Sequence, residues 1–398
     1  MCTAVNTVFA ENNNRGDTVN IKIDGSKANT SENFLYRGQG MISCNGSSRL
    51  FLDYKEKNPE SYNKILEHLY SKNGLKFTHF KVEMGADVNT SSGTEPATMR
   101  YEDEKADVTR GAGFQLAADI KKINPDVTLD MLWWSEPKWV SDSSDVYAAR
   151  YKWYKQTLDA AYETYGLVFD YVSANQNERA VDTDWIKYLS KALKSEKDCP
   201  YDYSEIKIVA ADECGTWGIS RLMMKNKELC DAVDVIGTHY TSHSDDNTKK
   251  LAEEKGKEIW FSEGSSPMNY AQSTYRFDEG NSGLTGLNGV LDIANRMITM
   301  VSGGYMTLYE YQPAVAGYYD GVTYCHKQLI NACTPWNGYY TLDSGYYMNL
   351  HFSQFMDKGW SFIFDACYGD AKVGGDGHAL VSIGNHKPLQ PFLRTGVS

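Results

Sequence analysis

The 398-residue chain has no apolar run near the length of a membrane span, no excess of basic residues and no cysteine or histidine spacing of a metal site. Each gap removes a class of function. A helical span needs about 18 consecutive apolar residues, so no membrane-spanning helix is expected. Lys and Arg number 40 against 52 Asp and Glu, a net charge of −12, with an isoelectric point near 5.2. Such a field repels a phosphate backbone or an anionic membrane surface, so no nucleic-acid partner is expected. The eight cysteines (Cys2, Cys44, Cys199, Cys214, Cys230, Cys325, Cys333, Cys367) form no CxxC pair and no zinc spacing, which leaves room for one or two disulfides. No GxSxG elbow presents a serine nucleophile. Gly38-Gln39-Gly40 and Gly303-Gly304 stand in neither a GxGxxG nor a GxxxxGK[ST] frame, so no nucleotide and no other cofactor is expected. Met1–Ala10 lacks a basic region before its short apolar stretch and reads as the remnant of a removed signal peptide, which points to a secreted or extracytoplasmic protein.

What is present is ordinary globular material: 41% hydrophobic and 23% charged residues, enough chain for one large domain and a smaller one. With 28 Tyr, 9 Trp and 14 Phe, 13% of residues are aromatic, a supply of flat faces suited to stacking on sugars. From residue 38 onward, short β-branched or apolar runs alternate with helical patterns, the rhythm of a parallel sheet with crossover helices. The runs are Gly38–Ile42, Lys76–Val82, Val127–Trp133, Phe169–Ala174, Ile206–Ala210, Val233–Thr238, Glu258–Ser262 and Tyr305–Tyr309. The clearest intervening helix is Pro59–Lys72, with Pro in its first turn, Ile65, Leu66, Leu69 and Tyr70 on one face, and Gly74 just beyond. Eight β/α units in this span predict an α/β fold, a (β/α)₈ TIM barrel over residues 38–357. Thr18–Asp24 alternates as a half-buried strand does, and Trp360–Cys367 and His378–Ile383 also read as strands. The terminal segments 1–37 and 358–398 are therefore expected to meet in a small β-sandwich beside the barrel.

In a barrel of this kind the site forms at the C-terminal ends of the strands. Those ends are acidic: Glu83, Asp87, Glu136, Glu178, Asp212, Glu213, Glu263 and Glu310. With Trp133, Trp134, Trp139, Trp217, Tyr240 and Tyr311 nearby, they suit glycosidic-bond hydrolysis. One acid protonates the leaving oxygen, a second meets the charge developing at the anomeric carbon, and aromatic faces hold the sugar. Any single one of these acids is more simply an ion-pair partner or a helix cap. A metal-dependent hydrolase using Asp212, His239 and His243 is the rival, but no HxH or HxxE pattern supports it, and no metal site is expected. His239 is better read as hydrogen-bonded to a carboxylate or to the sugar.

Asn177-Glu178-Arg179 after strand four and Ser262-Glu263 after strand seven resemble the signature of the retaining barrel glycosidases. The wider resemblance is to glycoside hydrolase family 59, the galactocerebrosidase family. It runs through Gly38-Gln39-Gly40-Met41-Ile42-Ser43, Ser48-Arg49-Leu50, Lys81-Val82-Glu83-Met84-Gly85, Gly93-Thr94-Glu95-Pro96, Trp134-Ser135, Ile208-Val209-Ala210-Ala211-Asp212, Gly237-Thr238-His239-Tyr240, Gly304-Tyr305-Met306-Thr307, Tyr318-Tyr319 and Pro335-Trp336-Asn337-Gly338. The resemblance implies a retaining β-galactosidase with Glu178 as acid/base and Glu263 as nucleophile. It further implies that Asn177, Thr94 and Trp134 contact galactose, and His239, Tyr240 and Gln312 are added as substrate-binding candidates. The chain departs from the family at Trp134-Ser135-Glu136-Pro137, at Glu310-Tyr311-Gln312, and at Gln390-Pro391-Phe392-Leu393, where the family has an Arg. Glu136, Glu310 and Gln312 near the mouth suggest soluble β-galactosides over a membrane-embedded glycolipid. Alternatives are a related barrel acting on a glucosylceramide, xylan or galactan, and a non-catalytic carbohydrate-binding barrel, which would lack one of the two glutamates.

Overall fold

The computed structural model describes residues 6–10, 19–43, 47–88, 93–264, 287–317, 328–373 and 377–384. Its centre is a sheet of eight parallel strands: β1 (Gly38–Ser43), β2 (His79–Glu83), β3 (Thr128–Leu132), β4 (Tyr171–Ser173), β5 (Lys207–Cys214), β6 (Val235–His239), β7 (Glu258–Gly264) and β8 (Leu308–Tyr311). They are hydrogen-bonded in the order β3-β2-β1-β8-β7-β6-β5-β4, so β1 lies beside β8 and the sheet curls into a barrel. The seam between β3 and β4 is bridged at Asp170: its N–H donates to the Leu129 carbonyl at 3.0 Å, and its Oδ2 accepts the Leu129 N–H at 2.9 Å.

All eight strands lie at or beside the runs read from the sequence, but their edges differ for a local reason. The second run was expected to begin at Lys76 and the eighth at Tyr305, whereas β2 begins at His79 and β8 at Leu308. Lys76 and Tyr305 have φ of 52° and 56°, left-handed conformations that break an extended run before it enters the sheet. The intervening helices carry the start signals that polar caps supply. Asn58 caps Pro59–Tyr70, Asp182 caps Thr183–Ser195 and Asp245 caps Asp246–Lys255, each side chain accepting a first-turn N–H.

Strand periodicity sorts the interior. On β2, Phe80 and Val82 join the main core between barrel and helices, while His79 and Lys81 turn inward. Toward the strand starts the barrel is filled by Tyr171, Val209, Val235, Trp260 and Leu308, with the His79 ring 5.1 Å from that of Trp260. Above this apolar layer the filling is charged: Lys81, Asp130, Asp212 and Glu310 are all at most 1% exposed. Barrels of this type are usually filled by branched apolar side chains, so the charged layer is the unusual element of this fold.

Around the chain ends the described strands form short antiparallel pairs: Asn6–Ala10 with Val19–Ile23, Ser361–Phe362 with Ser382–Ile383, and Tyr368–Val373 with Gly377–Ala379. A bridge between Asn29 and Phe362 ties the N-terminal segment to the C-terminal one. The run expected as one strand over Trp360–Cys367 turns into a 3₁₀ helix at Phe364–Ala366. A three-stranded sheet of Val315–Ala316, Ile330–Thr334 and Tyr339–Leu342 follows the barrel and was not expected. Its turn is the Pro335-Trp336-Asn337-Gly338 block, with Gly338 at φ 72°. Among the described residues no helix is long and apolar enough to cross a membrane.

Candidate active site

The acidic ring expected at the strand ends separates into structural and chemical members. Glu83 accepts the N–H groups of Thr94 and Glu95, both at 3.3 Å. Asp87 pairs with Arg100 at 2.6 Å and Glu136 with Arg150 at 2.7 Å. That guanidinium is stacked 5.1 Å from the Trp133 ring and 4.9 Å from that of Trp185. Glu213 caps the helix Gly218–Met223 by accepting the Ile219 N–H at 2.8 Å. Glu310, expected near the mouth, lies inside the barrel at 0% exposure, because its alternating position on β8 turns the side chain toward Lys81, 3.2 Å away. Three acids remain: Glu178, Glu263 and the buried Asp212 near the end of β5.

Glu178 stands five residues beyond β4 with φ 58°, and its N–H donates to the Asp212 carbonyl at 3.1 Å. Asp212 and Tyr240, at the ends of β5 and β6, have φ of 52° and 55°. Left-handed backbone costs a non-glycine residue roughly 1–2 kcal/mol, and three such residues in one mouth is the pattern of strain held at a functional site. Glu263 is 2% exposed on β7. Tyr240 OH donates to its Oε1, and Asn177 Nδ2 donates to its Oε2 at 3.3 Å. Both oxygens of this carboxylate therefore carry a donor, which fixes its plane.

His239, fully buried at the end of β6, joins the two acids. Its Nδ1 is 3.0 Å from Glu178 Oε1 and 3.6 Å from Glu263 Oε2. One ligating atom from each of Glu178, His239 and Glu263 lies within 4.8 Å of the others. Nε2 sits 3.5 Å from Asp212 Oδ1, a charge-pairing distance outside hydrogen-bond geometry. Burial disfavours the imidazolium, but Glu263 and then Asp212 and Glu178 outweigh it, and the His239 pKa is pushed up to about 10. Burial likewise opposes charge on Asp212, yet Lys81 and His239 hold it well below the usual carboxylate range.

The remaining candidates occupy distinct places. Among the described residues the buried Asn177 Oδ1 has no hydrogen-bond partner, an acceptor on a residue 2% exposed beside the Glu263 carboxylate. Trp134 packs with Ile42 and Leu132, and its Nε1 has no partner among the described residues. Its carbonyl accepts from Gln176 Nε2 at 2.7 Å, two residues before Glu178. Thr94 is held through its N–H by Glu83. Gln312, 3% exposed, is fixed by its N–H on the Gly264 carbonyl at 2.8 Å. Of the other aromatics proposed for the sugar, Trp139, Trp217 and Tyr311 spend their polar atoms on Met99, His243 and Asn349 and belong to the packing of the fold. Tyr318-Tyr319 and Gln390–Leu393 lie outside the described residues. Cys199, Cys214, Cys230 and Cys367 are free thiols. Lys81 and Asp130 were not singled out, although a lysine set between the apolar Phe80 and Val82 of a strand is the signal that could have found the first.

The sequence is similar to those of several galactocerebrosidases. The galactocerebrosidase of Macaca mulatta is 33% identical over 380 residues, covering 90% of this chain and 50% of that protein. That of Danio rerio is 30% identical over 339 residues, 82% of this chain and 46% of that protein. The chain thus spans about half the length of the curated relatives it matches. In fold it is similar to SrfJ from Salmonella typhimurium, with a TM-score of 0.66 at 16% identity over 82% of this chain and 76% of that one. The catalytic domain of GH30 xylanase C from Talaromyces cellulolyticus gives 0.60 at 13% identity, over 82% and 77%. The sequence profile of glycosyl hydrolase family 59 matches residues 36–354, and the chain belongs to that family.

Proposed function

We propose that this chain is a retaining, exo-acting β-galactosidase that works by double displacement. The observation that carries the reading is the approach of Glu178 and Glu263, whose nearest oxygens lie within 4.8 Å. Retaining pairs stand about 5–5.5 Å apart, whereas inverting pairs leave roughly 6.5–9.5 Å for a water. In the first step a Glu263 oxygen bonds to the anomeric carbon as the glycosidic bond breaks, its electron pair leaving with the aglycone oxygen, which takes the proton from Glu178. In the second, Glu178 removes a proton from water, the water oxygen attacks the same carbon, and Glu263 departs. Tyr240 and Asn177 hold Glu263 in place throughout, and Asn177 Oδ1 is placed to accept from a sugar hydroxyl.

Galactose as the sugar rests on the galactocerebrosidases at 30–33% identity. The argument from mouth polarity for a soluble aglycone loses its basis, since Glu310 and Gln312 are buried and Glu136 is neutralised by Arg150. A β-galactosyl lipid is therefore the expected substrate. Proton NMR of galactose released from a nitrophenyl β-galactoside should show the β-anomer first, and the α-anomer first would overturn retention. A panel of nitrophenyl β-galactoside, β-glucoside and β-xyloside should favour the galactoside by at least about tenfold in kcat/KM, a difference of about 1.4 kcal/mol. A glucoside or xyloside preference would move the reading to another sugar. Galactosylceramide in micelles, compared with a soluble galactosyl oligosaccharide, decides the aglycone.

A further inference from the structure

Behind the two glutamates the barrel interior holds ionisable groups that the two-step mechanism does not use. Lys81 Nζ, with its side chain 0% exposed, stands 3.2 Å from Glu310 Oε2, 3.5 Å from Asp130 Oδ2 and 3.6 Å from Asp212 Oδ1. It also donates to the Ser262 carbonyl at 3.2 Å, one residue before Glu263. Ser262 Oγ donates to Asp212 Oδ1, and that same oxygen faces His239 Nε2 at 3.5 Å. His239 Nδ1 then meets Glu178 at 3.0 Å. Charges alternate along this line: ammonium, carboxylate, imidazole ring, carboxylate.

We propose that Lys81 is a positioning residue for the glycosidase, acting through Asp212 to hold His239 as the partner that shares the catalytic proton with Glu178. The proposal deepens the reading above and rests on its assignment of Glu178 and Glu263. Asp212 facing Nε2 keeps one ring proton on that side, so the proton between Nδ1 and Glu178 Oε1 belongs to the His239–Glu178 pair as a unit. In glycosylation that proton passes through Glu178 to the aglycone oxygen, and in deglycosylation the pair recovers one from water. An unpaired buried carboxylate would neutralise, so Asp212 can serve His239 only while a cation stands behind it. Burial and the neighbouring carboxylates push Glu310 well above the usual range and burial raises Asp130 as well, so Asp212, held well below that range, is the anion that Lys81 chiefly faces.

The groups that face His239 are Glu178 from the loop after β4, Asp212 and Cys214 from β5, Tyr240 from its own strand and Glu263 from β7, with Lys81, Asp130 and Glu310 one step further in. Asp212→Asn keeps the shape and removes the charge; Lys81→Met removes the cation at similar length. Nitrogen NMR of labelled histidine reads His239 directly, and kcat and KM for a nitrophenyl β-galactoside are followed against pH. In both variants the His239 titration should fall by at least about one pH unit, tenfold in proton affinity. The alkaline limb of kcat should move down with it, while KM at the pH optimum stays within about twofold, because neither residue faces the sugar. An unmoved His239 titration in either variant, or a moved titration with an unmoved kcat limb, overturns the proposal. If Lys81→Met does not fold, Lys81→Gln, which removes the charge and keeps a polar group, takes its place. Retained turnover in a parallel Glu263→Ala variant would instead overturn the underlying mechanism, and the His239 titrations would still show whether Asp212 governs that ring.

Discussion

Replacing Glu263 with alanine removes the oxygen proposed to bond to the anomeric carbon. Turnover should fall by several orders of magnitude, and azide entering the vacated space should restore part of it and give the α-galactosyl azide. Near-normal turnover without azide would refute the nucleophile. Glu178→Ala should behave otherwise: a dinitrophenyl leaving group needs no proton, so the first step survives while the second stalls, and stopped-flow should record a burst. With an unactivated galactoside the same variant should lose roughly 10²–10⁴-fold, the usual worth of a positioned proton donor. The proposed catalytic pair could be picked out in the sequence because Asn177-Glu178 lie just past β4 and Ser262-Glu263 near the end of β7. Lys81 could not, because nothing along the chain shows that β2, β3, β5 and β8 turn their charges to one point. The expectation that Glu310 lines the mouth failed for a related reason: inward parity does not tell at which height along the strand a side chain sits, and Glu310 lies at the level of Lys81.

At the scale of the element, Asp170 and Asp234 play one part twice. Each stands immediately before a strand: Asp170 Oδ2 accepts the Leu129 N–H at 2.9 Å, and Asp234 Oδ2 accepts the Ile208 N–H at 2.8 Å. Leu129 is fully buried, so Asp170→Ala leaves its N–H without an acceptor at the seam of the barrel. A loss of about 1–3 kcal/mol is expected, read as a lower urea midpoint, and Asp170→Asn, which keeps an acceptor, should recover most of it. An unchanged midpoint for Asp170→Ala would mean the seam does not need this clasp. The eight strands could be read from apolar runs because both faces of a parallel strand are covered. Their starts could not, since Lys76 and Tyr305 look like strand residues until tertiary packing sets them left-handed. The three-stranded sheet after β8 was missed although Asn337-Gly338 carries the hairpin dipeptide.

The molecule as a whole should be more stable in mild acid than in mild alkali. Burial, with the nearby Glu95 charge, pushes Glu83 up to about 8, and burial raises Asp130 and Asp343 to about 6 against the pull of their partners. An acid whose folded pKa lies above its unfolded value of about 4 binds its proton more tightly when folded. Its contribution is complete below that value and fades as pH rises through the folded one. His239, raised to about 10 despite burial, adds stability that is present below about 6.5 and lost toward pH 10. Asp212 works oppositely, but its depressed value places that loss below the ordinary carboxylate range. Calorimetry should therefore give a higher Tm at pH 5 than at pH 8, and a Glu83→Gln variant should narrow the gap; a higher Tm at pH 8 would contradict the assignment of these buried acids. The charged layer across the barrel axis also limits what can be borrowed from this protein. Grafting Asn177, Glu178, Tyr240 and Glu263 onto a host scaffold with an aliphatic interior would carry over the reacting groups and leave behind the counter-charges that tune them, so a transplant has to include Lys81, Asp130 and Asp212, several ångströms below the surface that a designer would ordinarily redraw.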